Sequence, residues 1–149
     1  AKEFPDAKIY AIDKSDEALK YARQNATENN IKNVYFSKGD LFSPVKGLVF
    51  DVIISNPPYI RRGDIKGLKK EIRDYEPIDA LDGGEEGLDF YRLIFRESPH
   101  FLKKDGLLIL EIGHDQSDDI KDLATHNGFK DINFKTDYSD IKRIFIARI

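Results

Sequence analysis

The sequence of 149 residues predicts an α/β domain built on a mostly parallel sheet with an antiparallel hairpin at its carboxyl end. Three observations carry that reading. Short apolar runs alternate with stretches of helical spacing, the pattern of strand–helix–strand units. Leu107-Leu108-Ile109-Leu110-Glu111-Ile112 is almost continuously apolar, as expected of a parallel strand covered on both faces. The last two strand-like runs, 132–136 and 143–149, are joined by a short polar turn and should pair antiparallel.

Taken in order, residues 1–4 read as the end of a helix that leads through Pro5-Asp6 into a first strand at 8–12. The strand stops at Asp13. Ser15 is placed to cap a helix whose first turn carries Asp16 and Glu17, favourable to the helix dipole. Ala18, Leu19, Ala22 and Ala26 then share one face at helical spacing, and Asn29-Asn30 tolerates the left-handed conformation that ends a helix. A second strand at 34–37 closes on Gly39-Asp40. A turn through Pro44 and Gly47 leads to a third strand, Phe50-Asp51-Val52-Ile53-Ile54-Ser55, expected to be buried.

The polar stretch 61–76 is expected to form one irregular helix. Glycines 83, 84 and 87 mark a loop, read as a mobile cover over a substrate. It lacks the Lys and Ser or Thr of a phosphate loop. Residues 88–101 place Phe90, Tyr91, Ile94, Phe95 and Phe101 at helical intervals, with Pro99 limiting the last turn. Gly113 ends the strand at 107–112. A helix over 115–127 turns Ile120, Leu123 and Ala124 inward and stops at Gly128.

A length of 149 residues with 40% hydrophobic composition suffices for one domain, 1–149, with a core that needs no disulfide or metal staple. The absence of cysteine excludes disulfides, thiolate nucleophiles and Cys-based metal centres. No apolar run approaches the ~20 residues needed to cross a bilayer, so a soluble, cytoplasmic protein with no membrane partner is expected. Net charge is −3, from 24 basic and 27 acidic residues spread along the chain. That balance supplies no phosphate-tracking field, which makes nucleic acid a weaker partner than protein.

Asn56-Pro57-Pro58-Tyr59 follows the third strand and ends it. Two prolines fix φ near ~−65° and contribute no N–H, so their carbonyls and the Asn56 side chain are left without local donors. A ligand carrying donors would satisfy them, and the ring of Tyr59 could cover a flat group held there. Asp13 ends the first strand just before a helix. It can accept both hydroxyls of a ribose or merely favour the helix dipole, and the residue alone does not choose. Asp40 also lies at a strand's carboxyl end. Three such ends on one rim favour a ligand containing a nucleoside. His100, His114 and His126 have no metal-ligand spacing, so no metal site is expected. Glu111 is read as a structural hydrogen-bonding group, and Arg61-Arg62 and Lys69-Lys70 as a solvated face.

Ile12-Asp13, Gly39-Asp40-Leu41-Phe42, Ile54-Ser55-Asn56-Pro57-Pro58-Tyr59-Ile60 and the closing hairpin resemble the class I S-adenosylmethionine-dependent methyltransferases, which have a Rossmann-like sheet. The four-residue turn resembles that of enzymes methylating the amino groups of adenine, cytosine and glutamine. Arg73-Asp74-Tyr75-Glu76-Pro77, the run 80–91 and Leu110-Glu111-Ile112-Gly113 resemble the release factor glutamine methyltransferases in particular. The resemblance covers nearly all of the chain. It implies S-adenosyl-L-methionine as cofactor, with Asp13 on the ribose, Asp40 and Leu41 on the adenine, and Asn56 lying between cofactor and substrate. It implies a glutamine of a peptide chain release factor as substrate. The Asn56 side-chain oxygen would accept one amide N–H and the Pro57 carbonyl the other, Pro58 would stiffen the turn, and Tyr59 would stack on the amide plane. Catalysis by orientation in this way requires no metal.

Members of the family open with a strand, a Gly-rich turn and a helix, preceded by a helical region that docks the protein substrate. No glycine precedes Gly39 here. The expectation is therefore an N-terminally truncated catalytic domain, with the first strand and helix largely missing, a sheet short of its central strand, and weak cofactor binding by the chain alone. Two other readings stand beside glutamine methylation: amino-methylation of adenine or cytosine in nucleic acid at the same turn, and an α/β binding module without catalysis. A nicotinamide dehydrogenase ranks last, since no hydride-transfer site is visible.

Overall fold

In the computed structural model, which describes residues 1–149, the chain divides into two units, 1–48 and 49–149, and each holds its own sheet. In the first unit β1 (Ile9–Asp13) and β2 (Val34–Lys38) pair in parallel, with Asp13 opposite Lys38. The register also sets Tyr10 opposite Tyr35, whose rings stack at 5.1 Å. The crossover between them is α1 (Asp16–Glu28). Ser15 accepts a hydrogen bond from the Ala18 N–H and Asp16 and Glu17 fill the first turn, as the sequence predicts. The helix ends where expected, with Asn30 left-handed at φ 54°. Leu19 is the buried residue of its inner face, Ala22 and Ala26 are half-buried, and Ala18 is exposed.

Residues 1–4 do not form a helix. They make turns, closed by the Phe4 N–H to the Ala1 carbonyl (3.2 Å) and pinned by Asn33, whose side chain donates to the carbonyls of Phe4 (2.9 Å) and Ala7 (3.0 Å). Pro5 and the Asn33 anchor fix the backbone there in a non-helical path.

The second unit has the strand order β3-β4-β6-β5, built from β3 (Phe50–Ser55), β4 (Leu102–Glu111), β5 (Lys130–Thr136) and β6 (Lys142–Arg148). β3 and β4 are parallel; β4–β6 and β6–β5 are antiparallel, so the expected terminal hairpin is present. Its two longer helices are α4 (Asp89–Glu97) and α5 (Ser117–His126), after the single turns α2 (Lys70–Arg73) and α3 (Ile78–Leu81). Tyr91, Ile94 and Phe95 of α4 are fully buried, as are Leu108, Leu110 and Phe145 of the sheet and Ile120 and Ala124 of α5. Phe95 is the hub, meeting Phe145 and Phe129 edge to face at 5.2 and 5.6 Å. Pro99 opens a 3-10 turn, Ser98–His100, just after α4 ends.

Two expectations about this half are corrected. The third strand is not buried: Ile54 is 73% exposed and Val52 43%, because β3 has β4 as its only hydrogen-bonded neighbour. An apolar run alone does not distinguish a central strand from an edge. In the first unit β1 likewise has β2 as its only hydrogen-bonded neighbour, so β1 and β3 are both edges, in keeping with the α/β fold expected to lack its central strand. The stretch 61–76 is not one helix but a 3-10 segment, Arg62–Gly67, and the single turn α2 (Lys70–Arg73), followed by another single turn, α3 (Ile78–Leu81). Gly63, Gly67 and Pro77 interrupt any longer helix.

Candidate active site

Ser55, the last residue of β3, pairs with Leu110, so the chain leaves the sheet beside Glu111. The next two peptide groups with missing donors are those of Pro57 and Pro58, and the ladder stops there for that reason. Asn56 is exposed and Pro57 buried. The Asn56 side chain and the carbonyls of Pro57 and Pro58 make no hydrogen bond within the protein, leaving their acceptors available as the sequence predicts. Asn56, Pro57 and Tyr59 line a cavity of about 320 Å³ whose other walls are Ile60, Glu76, Ala80 and Leu81. That volume lies at the small end of ligand sites and suits one extended side chain.

Tyr59 is held at both ends. Its hydroxyl donates to Glu111 Oε1 at 3.0 Å, and its carbonyl accepts from Gln116 Nε2 at 3.1 Å. Burial first, then the hydrogen bond to the Glu111 carboxylate, pushes the phenol above its ordinary pKa and keeps it a neutral donor. The structural hydrogen bond expected of Glu111 is thus made, and its partner is the candidate stacking residue. The Glu111 backbone carbonyl accepts from the Tyr91 hydroxyl at 2.9 Å, which ties the same position to α4.

Gln116 is the residue that sequence reasoning missed. It is 1% exposed and joins three segments: Oε1 accepts from the Gly113 N–H (3.0 Å), and Nε2 donates to the carbonyls of Tyr59 and Gly87 (both 3.1 Å). A glutamine next to a helix start carries no local signal of this role. The glycines around it do, since a Cβ on Gly87 would lie 2.4 Å from the Tyr59 carbonyl oxygen and one on Gly113 would lie 2.5 Å from Gln116 Oε1.

The Gly-rich loop is therefore not a mobile cover. Gly83, Gly84 and Gly87 are buried, and the Gly83 N–H donates to the Ile60 carbonyl (2.9 Å) while Ile60 N–H donates to the Leu81 carbonyl (3.0 Å). The loop is a support packed against the turn. Arg61 and Arg62 are not merely a solvated face either. Arg61 pairs with Asp115 at 2.8 Å, and Arg62 pairs with Asp82 at 2.9 Å and Glu85 at 3.0 Å. All three pairs are partly open to solvent, which screens them and keeps their contribution small.

The guanidinium of Arg61 holds the Asp115 carboxyl below the usual range, and Arg62, then the Gly84 N–H, does the same for Asp82. A carboxyl lowered in the folded state contributes stability that is present above its unfolded value, ~3.9, and is lost as pH falls through the lower folded value. Acidification from about pH 5 to pH 2 is thus expected to lower the amide-exchange protection factors of Ile60 and Arg62, measured against the intrinsic exchange rate at each pH. Asp115→Asn should flatten part of that acid response.

The other candidate residues lie in the first unit, where the structure brings them together. Asp13 ends β1, is exposed, and accepts from the Ser15 N–H at 2.7 Å. Its carbonyl takes the Gly39 N–H at 3.0 Å, which sets Asp40 beside it at the end of β2. Asp40 pairs with Lys14 at 3.3 Å. Leu41 has φ 45°, costly for a side chain with no polar atom to offset it, and such strain concentrates where backbone must meet a ligand. No group of three or more His, Asp or Glu side chains is placed to hold a metal ion.

Parallel crossover units with acidic strand ends, and a donor-free acceptor turn after β3, define a Rossmann-like domain of the methyltransferase class. A family model described as a methyltransferase domain matches residues 1–127, and the chain belongs to that family. A release factor glutamine methyltransferase of Thermodesulfovibrio yellowstonii is 44% identical over 147 residues, 99% of this chain and 53% of the relative. The chain spans about half the length of the curated relatives it matches. In fold it is similar to a methyltransferase from Pyrococcus furiosus, with TM-score 0.69 and 23% identity over 95% of this chain and 62% of that one. It is also similar to SMU.776, crystallised with SAH, with TM-score 0.60 and 14% identity over 94% of this chain and 38% of that one. No helix is long and apolar enough to cross a membrane.

Proposed function

We propose that this methyltransferase domain transfers a methyl group from S-adenosyl-L-methionine to the side-chain amide nitrogen of a glutamine in a protein, a peptide chain release factor being the substrate the 44%-identical relative suggests. A cytoplasmic location belongs to the same proposal. The observation that carries it is the set of unsatisfied acceptors in a cavity of about 320 Å³, at Asn56 and Pro57, beside the anchored ring of Tyr59. A carboxamide nitrogen is a poor nucleophile because its lone pair is delocalised into the carbonyl. Asn56 Oδ1 and the Pro57 carbonyl accept its two N–H bonds and fix the direction of what remains of the lone pair. Tyr59 lies on the amide plane and keeps water out.

The cofactor supplies an electrophilic methyl on a sulfonium. Residues Asp13, Asp40 and Leu41 fit its nucleoside: two exposed carboxylates stand at adjacent strand ends as acceptors for hydroxyl and amino groups, with Leu41 as the apolar neighbour. Transfer would form the N–CH3 bond as the sulfonium S–CH3 bond breaks, leaving a neutral thioether, and the methylated nitrogen would release one proton to solvent; Asn56 Oδ1 and the Pro57 carbonyl would accept its N–H bonds up to that point.

The test is transfer of labelled methyl from S-adenosylmethionine to a short peptide containing the release-factor glutamine, with DNA and RNA oligonucleotides as competing acceptors. Label in the peptide is the expected result. Label only in nucleic acid, or in nothing, overturns the reading. Within it, Tyr59→Phe keeps the ring and loses its hydrogen bond to the Glu111 carboxylate, worth ~1.5–3 kcal/mol, so kcat should fall by roughly 10–100-fold. Tyr59→Ala, which removes the ring as well, should fall further.

A further inference from the structure

The segment 61–81 lies beside the cavity and holds three large apolar side chains in solvent: Ile72 is 38% exposed, Tyr75 82% and Ile78 61%. None of its helical turns contributes a buried residue, so the segment adds nothing to the core. It is nevertheless closed at its base. Ile60 N–H donates to the Leu81 carbonyl (3.0 Å) and Arg62 N–H to the Gly84 carbonyl (2.9 Å), with the Arg62–Asp82 pair alongside. Inside, two separate helical turns carry these side chains, closed by the Glu76 N–H donating to the Ile72 carbonyl at 2.9 Å and the Asp82 N–H to the Ile78 carbonyl at 2.9 Å. Glu76, Ala80 and Leu81 of the same segment are walls of the cavity.

We propose that Ile72, Tyr75 and Ile78 form the docking surface for the folded body of the protein substrate whose glutamine enters the cavity. This rests on the protein-glutamine reading above. Large apolar side chains exposed on a segment anchored at both ends, and continuous with the substrate cavity, are the composition of an interface centre. Charge argues for protein over nucleic acid. Between Arg61 and Leu81 there are six basic and five acidic residues (Arg61, Arg62, Lys66, Lys69, Lys70, Arg73 against Asp64, Glu71, Asp74, Glu76, Asp79), which gives no phosphate-tracking field. Burying the three side chains against a partner supplies the apolar contact that folding does not.

The test compares the protein with its I72S/Y75S/I78S variant in affinity for an intact bacterial release factor and in methyl transfer to a short glutamine peptide. The substituted side chains lie outside the core, and thermal melts of both proteins establish that the variant is folded before affinities are compared. The expected result is at least ~10-fold weaker binding of the intact factor with peptide methylation unchanged within ~2-fold, since all three apolar anchors are lost. Equal affinity of the two proteins for the factor overturns the docking surface, and so does absence of factor binding by the unsubstituted protein. Failure of the glutamine reading is seen separately, as no methylation of the peptide by either protein.

Discussion

Asn56→Ala is expected to lower methyl transfer to glutamine by on the order of 10²-fold or more, with the melting temperature unchanged. The two halves of that expectation come from one observation. Asn56 is exposed and its side chain makes no hydrogen bond in the protein, so nothing in the fold depends on it. In the proposed complex the same side chain accepts one of two amide N–H bonds, and deleting a preorganised polar contact of that kind costs about 2.7–4 kcal/mol in the transition state. The loss should fall on kcat more than on KM, because the peptide's other contacts remain and what disappears is alignment. Asn56→Asp keeps an acceptor and should retain more turnover than Asn56→Ala. A binding module without catalysis predicts that both variants behave as the parent does. Steady-state rates with the peptide, alongside thermal melts, decide between them.

The parts of this structure that were legible in the sequence are those decided within a few residues. Ser15 caps α1 because its hydroxyl needs only the N–H three residues on, and Asn30 and Gly128 end helices through their own backbone freedom. The acceptor turn is legible for the same reason: two prolines remove donors wherever they sit. What sequence reasoning misread depends on partners far along the chain. The exposure of Ile54 follows from which strands flank β3, and the apolar run says nothing of that. Arg61 looks solvated until Asp115, 54 residues later, is seen beside it. The glycines at 83, 84 and 87 suggested flexibility. Their packing shows the other use of glycine, to let two backbones approach where a Cβ would clash, and only the approaching partner tells the two uses apart.

Gln116→Leu should be among the most destabilising single substitutions in the second unit, by ~3 kcal/mol or more, seen as a fall of ~10 °C or more in melting temperature. Leucine fills similar space but leaves the Gly113 N–H and the carbonyls of Tyr59 and Gly87 buried without their partner, and each such group costs ~1–3 kcal/mol. Gly87→Ala should give a comparable loss from the opposite side. Its φ of +73° disfavours a side chain, and the added Cβ would lie 2.7 Å from Gln116 Nε2. Because the two substitutions break one network, their effects should combine to less than their sum, which a double-mutant cycle measures. Gln116→Glu separates hydrogen bonding from shape. Ionised, the carboxylate keeps an acceptor for Gly113 but offers no donor to the two carbonyls; protonated, it offers one. Burial among carbonyls raises the carboxyl pKa above its unfolded ~4.3, so the penalty is full where the folded form ionises and shrinks as pH falls below that point. Part of the lost stability should return on acidification toward pH 5. Peptide methylation should follow the melting behaviour of these variants, because the atoms that Gln116 holds are the backbone of the residue that closes the acceptor turn. A Gln116→Glu protein as stable as the parent at pH 8 would show that the Gln116 hydrogen bonds bear no weight, and Tyr59 would then owe its position to Glu111 and to the packed glycine loop.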